Sequence, residues 1–310
     1  MLIGKNGQLG IELQRVLADA GAVVCGLGRA ELDLADIAAI RSAVRTFAPA
    51  IIVNAAAYTA VDRAESEPEV ARSINAIAPV VMAEEAAKRG AALVHYSTDY
   101  VFAGTATAPY TEEDATGPLS VYGSTKLAGE QGIRNSQARH VIFRASWIYS
   151  EHSKNFFRTV LRLSREREQL RIVSDQVGSP TWARHIAEAT AAILARESLS
   201  AYPPFELSSG VYHMTAAGLT SWHGFATEIV SLCRQRLGDQ RCEFAVKDIV
   251  PIASADFPLP ARRPKYSVLA NNKLADVFGV QLPCWREQLA GLIECLHSSQ
   301  NTNAISGLHL

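Results

Sequence analysis

The chain has 310 residues, a hydrophobic share of 48%, a charged share of 20% and a formal net charge of −1. These values suit a folded globular protein with one large domain, or one domain and a smaller partner. They carry no basic field for nucleic acid or an anionic membrane, and no apolar run approaches a membrane span.

In chain order, the first signal is "IGKNGQLG", with Gly4, Gly7 and Gly10 three apart before the amphipathic stretch 9–21, which closes on Gly21. Glycines there allow a tight turn and a close approach to a pyrophosphate, and the helix start offers unpaired N–H groups to it. Only Met1, Leu2 and Ile3 precede the turn. The first strand is therefore expected to be short, or to begin upstream. The alternative is an ordinary tight βα turn.

Four apolar runs at 22–27, 50–56, 92–97 and 140–146 read as strands covered on both faces. Helical patterns at 36–47, ending before Pro49, and at 68–90, irregular around Pro79, alternate with them. That alternation predicts an α/β fold with a doubly wound parallel sheet of Rossmann type. Beyond about 175 the chain is richer in proline, with helical stretches near 183–197, 221–236 and 284–297. We expect a dinucleotide-binding domain over 1–150, with returning segments from 175–215. A smaller α/β substrate lid is expected over 151–298, with a flexible tail at 299–310.

The second run ends in "CGLGRAELD". Arg29 at that strand end suits a 2′-phosphate, which favours NADPH over NADH, although a solvated loop charge is the competing reading. Asp33 and Leu34 are placed to flank the adenine. The third run ends in "NAAAYTAVD", whose small residues permit a cofactor backbone to approach or simply pack a strand end.

"STDYVF" follows the fourth run, and "VYGSTKLAGE" places Tyr122 and Lys126 four apart on a helix, hence on one face. A free phenol has a pKa of about 10, and a neighbouring ammonium is expected to lower it. Thr98, at a strand's carboxyl end, would stand beside Tyr122. A hydroxyl, a phenol and a lysine around a dinucleotide suit hydride transfer coupled to protonation of a carbonyl oxygen. An isolated YxxxK is more often a surface pair; the glycine turn and "STD" decide against that here.

The five cysteines, Cys25, Cys233, Cys242, Cys284 and Cys295, form no CxxC pair and suit reduced thiols in a cytoplasmic protein.

The words "GKNGQLG", "VNAAAYTAVDRAESEPE", "HYSTDYVFAGT", "PLSVYGSTKLAGE", "FRASWIY", "NFFRTVLRLSRER", "VSDQVGSPT" and "ARRPKYSVL" run through nearly the whole chain. Together they resemble the extended short-chain dehydrogenase/reductase family. The resemblance implies reduction of the 4-keto group of dTDP-4-dehydro-β-L-rhamnose to dTDP-β-L-rhamnose by NADPH, with NADH possible. It implies Tyr122 as proton donor, Lys126 as its partner and ribose contact, and Thr98 and Asp99 beside the sugar with Trp147 packed on it. Gly7, Gln8 and Leu9 would meet the pyrophosphate, Asp33 and Leu34 the adenosine, and Ala57, Tyr58 and Thr59 the nicotinamide half. Asn155, Arg262 and Arg263 are candidates for the substrate diphosphate, the two arginines competing with a solvated basic loop.

Some similar proteins dimerise through a magnesium ion held by glutamates. Here Glu12 matches one ligand position, but Arg184 and Arg286 stand in the other two. No metal and no metal-bridged dimer is expected, since two guanidinium groups repel a hard cation. A monomer, or a dimer without metal, is expected. The rival readings are a cofactor-retaining nucleotide-sugar epimerase or dehydratase, and a non-catalytic regulatory subunit resembling that of methionine adenosyltransferase. Tyr100 stands where such dehydratases tend to place a glutamate.

Overall fold

A computed structural model describes residues 1–199, 208–238 and 242–298. Its centre is a six-stranded parallel sheet. The strands are β1 (Leu2–Ile3), β2 (Gly26–Leu27), β3 (Ile51–Asn54), β4 (Ala92–Thr98) and β5 (Arg139–Ala145), with Gly210–His213 at the far edge. The order across the sheet is Gly210–His213, β5, β4, β3, β1, β2, and every pairing is parallel. The chain moves outward from β1 to β2, then returns to the other side of β1 for β3. That reversal opens a crevice at the carboxyl ends of β1 and β3.

Both sheet faces are apolar because neighbouring residues on each strand point to opposite sides. Leu2, Val53, Val94 and Phe143 pack under helices α1 (Gln8–Asp19) and Ala183–Leu199. Ile3, Ile52, Leu93 and Ile142 pack on the other side, against α2 (Ile37–Phe47) and the helix Ala78–Arg89. The expected strand 22–27 is realised only as Gly26–Leu27. Val23 is fully exposed, and its neighbour β1 is only two residues long, so the earlier part of the run has nothing to pair with.

The irregularity expected at Pro79 falls just before it. A π turn at Ser73–Ile77 joins helix Pro68–Arg72 to helix Ala78–Arg89. Proline lacks the N–H that would bond back to residue 75, and a widened turn absorbs the missing link.

A second apolar cluster lies beyond residue 148. Tyr149, Phe157, Trp182, Phe225, Trp285 and Leu289 pack together there, from helices Phe156–Glu166, Trp222–Leu237 and Trp285–Ser298 and the turns between them. Strands Gln169–Val173 and Asp248–Ile252 pair in parallel beside it. Residues 299–310, expected as a tail, lie outside the described residues. Among the described residues, no helix is long and apolar enough to cross a membrane.

Candidate active site

The glycine turn is as tight as its spacing demands. Gly4 has φ +89°, and a Cβ there would lie 2.7 Å from the backbone nitrogen of Ala56, after β3. A Cβ on Gly10 would meet the Gly4 carbonyl oxygen at 2.0 Å. Gly7 precedes α1, and no side chain caps that helix or places an acid in its first turn. The first N–H groups of a helix lack intrahelical partners, so this turn presents donors to the crevice.

The remaining cofactor candidates divide. Leu9 and Leu34 are buried in the core on opposite faces of the sheet, so only their backbones can face a ligand. Gln8 accepts from Ser150 and from Asn155, both at 2.9 Å. Arg29 and Asp33 are exposed. Glu31, not singled out from the sequence, lies at the exit of β2. It accepts from Gly28 N and pairs with Lys5, each at 2.8 Å. Its one signal was a carboxylate two residues past Arg29.

Ala57 and Tyr58 are partly buried and Thr59 is exposed in the loop after β3. Asn75, buried in the π turn, holds that loop. Its Oδ1 accepts from Tyr58 N at 2.8 Å, and its Nδ2 donates to Tyr58 O at 3.1 Å and to Thr125 Oγ1 at 3.2 Å. The sequence offered no signal for that clamp.

Thr98, Asp99, Tyr122 and Lys126 come together at the end of β4. Ser120 caps the helix Val121–Asn135 by accepting from Gly123 N at 3.2 Å, which presents Tyr122 in the first turn. Thr98 is the polar neighbour of the phenol, and its hydroxyl donates to Asp99 Oδ1 at 3.1 Å. Tyr100 packs edge-on against Tyr122 with ring centroids 5.8 Å apart. Enclosure of Tyr122 pushes its phenol up to about 12, against the opposing pull of Thr98.

That reverses the lowering expected from Lys126. The Lys126 amine is not directed at the phenol. It donates to Tyr96 O at 2.6 Å and lies 3.1 Å from His95 Nε2. Burial pushes Lys126 down to about 8, with Glu130 opposing. Burial also raises Asp99 to about 6, against bonds from Ser267, Ser146 and Thr98.

Trp147, with φ +46°, stacks on Trp222 at 3.5 Å between centroids and 5° between planes. Trp222 was not foreseen; it comes from a helix far along the chain. Asn155 departs from the expected diphosphate contact. Its Oδ1 caps its own helix by accepting from Arg158 N, and its Nδ2 serves Gln8, Ser150 O and His152 O. Both ends of the amide are used in holding the loop. Arg263 pairs with Asp62 at 2.8 Å and also donates to Ala261 O, while Arg262 is exposed.

Among the described residues, Glu12, Glu151 and His152 converge as a group able to hold a metal. Arg184 lies against both carboxylates, 3.4 Å from Glu12 and 2.9 Å from Glu151, and supplies the positive charge itself. Arg286 lies over Trp285, 3.9 Å from Glu228.

The parallel sheet, the glycine turn at its switch point and the Thr98–Tyr122–Lys126 set define an oxidoreductase of the short-chain dehydrogenase/reductase class. Residues 1–298 match the model of the RmlD substrate binding domain, and the chain belongs to that family. It is 47% identical to a dTDP-4-dehydrorhamnose reductase of Burkholderia thailandensis, over 92% of this chain and 95% of that one. It is 40% identical to the enzyme of that name from Escherichia coli K12, over 98% and 99%. A crystal structure of a dTDP-4-dehydrorhamnose reductase from Bacillus anthracis in complex with NADP superposes with a TM-score of 0.84. It is 35% identical and covers 94% of this chain and 97% of that one.

Proposed function

We propose that the chain reduces the 4-keto group of dTDP-4-dehydro-β-L-rhamnose to dTDP-β-L-rhamnose, using NADPH, with NADH as a second donor. The observation that carries this reading is that Thr98, Tyr122 and Lys126 lie at the same carboxyl edge of the parallel sheet as the Gly4–Gly10 turn. The names of the relatives and the NADP in the Bacillus anthracis structure support it.

The turn fits a dinucleotide: its glycines leave no room for side chains, and the start of α1 offers N–H donors. Gly4, Gly7, Gln8, Leu9 and Gly10 would hold the pyrophosphate, all through their backbone. Arg29 and Lys5 suit a 2′-phosphate, whereas the Glu31 carboxylate suits free ribose hydroxyls. That mixed set fits use of both cofactors. The Ala57–Thr59 loop, held by Asn75, would face the nicotinamide half.

Bound NADPH supplies the hydride. The protein supplies the proton and the orientation. A phenol pushed up to about 12 stays protonated at neutral pH, so Tyr122 is charged with a proton to give. The alkoxide formed as hydride arrives is the stronger base and takes it. Thr98 stands beside the phenol, and its tie to Asp99 fixes the hydroxyl. Lys126 would meet the nicotinamide ribose. The stacked Trp147 and Trp222 form a flat wall for the sugar ring, and Arg262 and Arg263 are the cations nearest in chemistry to a diphosphate.

On this reading 1–150, with returning segments from 175–215, bind the dinucleotide, and most of 151–298 binds the substrate. The enzyme works in the cytoplasm without nucleic acid, as a monomer or a dimer with no metal bridge.

The test is turnover of the keto sugar with NADPH and with NADH, repeated for Tyr122→Phe. Loss of the proton donor should lower kcat about 10²–10⁴-fold while cofactor affinity changes little. Near-normal turnover of the variant would reject the role of Tyr122. Retention of oxidised cofactor after each cycle would instead mark an epimerase.

A further inference from the structure

Behind Lys126 a short polar file runs into the sheet. Asn54 at the end of β3, His95 in β4 and Lys126 are each at most 1% exposed. The Asn54 amide has a determined orientation. Its Oδ1 accepts the backbone N–H of Ala56 at 3.1 Å, so its Nδ2 is the end 3.1 Å from His95 Nδ1. An amide NH2 only donates, so His95 Nδ1 must present a lone pair. The imidazole is then neutral, with its proton on Nε2. That N–H is aimed at Lys126 Nζ, 3.1 Å away.

An ammonium has no lone pair to receive it; a neutral amine has one. The bond from Nζ to Tyr96 O at 2.6 Å suits either form. Adding the third proton to Lys126 therefore sacrifices a link, either Asn54 to His95 or His95 to Lys126. An unmet buried donor carries a cost, so the file resists that proton.

We propose that Asn54 and His95 are positioning residues for the reaction. They hold the imidazole with its Nε2–H toward Lys126, and so couple charging of that amine to its departure from His95 for the dinucleotide ribose. This rests on the reading of Lys126 as the ribose contact. The other charged group on the same helix is Glu130, one turn on, but Arg144 from β5 takes its carboxylate at 2.7 Å. The π turn packed on that helix contributes the neutral Asn75 amide, and the preceding turn contributes the protonated Tyr122 phenol. Burial of Lys126 acts in the same direction as the file.

The experiment uses the full chain without substrate. Nitrogen-15 NMR of labelled histidine reads the tautomer of His95, and the Lys126 amine is titrated from neutral to alkaline pH. Wild-type His95 should show a bare Nδ1 and a protonated Nε2. Asn54→Asp puts a carboxylate oxygen opposite Nδ1 while keeping an acceptor for Ala56 N–H. Its Nδ1 should become protonated, and the His95–Lys126 pair should hold its extra proton about tenfold more tightly, one pKa unit. The alkaline limit of NADPH binding should move upward with it.

A wild-type His95 with a bare Nε2 overturns the proposal, and so does an Asn54→Asp pair that titrates like wild type. Should the variant not fold, the wild-type tautomer alone decides. These readouts need no turnover, so failure of the keto-sugar assay would remove the proposed reaction without touching them.

Discussion

Around the cleft, Arg144, Asn75 and Lys126 are polar side chains that are buried with committed partners. Arg144 grips Glu130 at 2.7 Å, Asn75 clamps the loop at Tyr58, and Lys126 leans on His95 and Tyr96 O. The cluster beyond residue 148 is held by apolar volume, with Phe225, Trp285, Leu289 and Ile293 inaccessible to water. The first region depends on geometry, because a buried donor or charge that loses its partner is penalised. The second depends on filling space, which many combinations of side chains can do.

Four measurements would break or sharpen that contrast. The largest effect is expected at Arg144. Arg144→Ala leaves the Glu130 carboxylate buried and unpaired, and should cost about 3–5 kcal/mol in denaturant unfolding. The double variant Glu130→Leu/Arg144→Met should recover most of that loss. A single variant within about 1 kcal/mol of wild type would show the pair to be unimportant.

Next comes Gly10→Ala. Its Cβ would lie 2.0 Å from the Gly4 carbonyl oxygen, a backbone atom that cannot swing aside. We expect about 1–3 kcal/mol of destabilisation with weaker NADPH binding. Unchanged affinity in a fluorescence titration would remove the glycine turn from the cofactor site.

In the apolar cluster, Leu289→Met should cost less than about 1.5 kcal/mol, with kcat and KM unaltered. A larger loss would mean that this region too is specified by shape.

The smallest effect lies at the seam between the regions, where Glu12 of α1 meets His152 and Arg184. Burial of Glu12 opposes ionisation, but His152, Arg15 and Arg184 outweigh it and hold the carboxyl down at about 2. Its contribution is present above the ordinary value of 4.5 and is lost as pH falls toward 2. His152 is raised above 6.5, chiefly by its bond to Glu12. Its contribution is present below 6.5 and is lost as pH rises through the folded value. Tm plotted against pH should therefore decline on both sides, and Glu12→Gln should flatten both limbs. Parallel curves for variant and wild type would show that the seam does not titrate.

Much of the sheet was readable as apolar runs, since a strand covered on both faces can hardly look otherwise. β4 and β5 follow their runs closely, whereas β2 is cut short by the two-residue β1, a limit that lies in its partner. Gly4 and Gly10 were legible because a tight turn excludes side chains whatever surrounds it. Thr98, Tyr122 and Lys126 were legible because strand ends and helical spacing place them together.

The direction of the Tyr122 shift was not legible. It depends on how deeply the ring is enclosed and on where Lys126 points, and both are set by packing against β4. The capping role of Asn155 was not legible, because diphosphate binding and helix capping use the same amide. Trp222 and Asn75 act across gaps of many residues, and no local pattern marks them.

By itself, then, the order of residues determined the sheet class, the tight glycine turn and the placing of Thr98, Tyr122 and Lys126 at the strand and helix ends, because each rests on short-range sterics and on the fixed periods of helix and strand. Tertiary structure alone decided proton affinities, hydrogen-bond polarity and the partners of the aromatic wall. Those properties depend on burial and on groups distant in the chain, which no local spacing encodes.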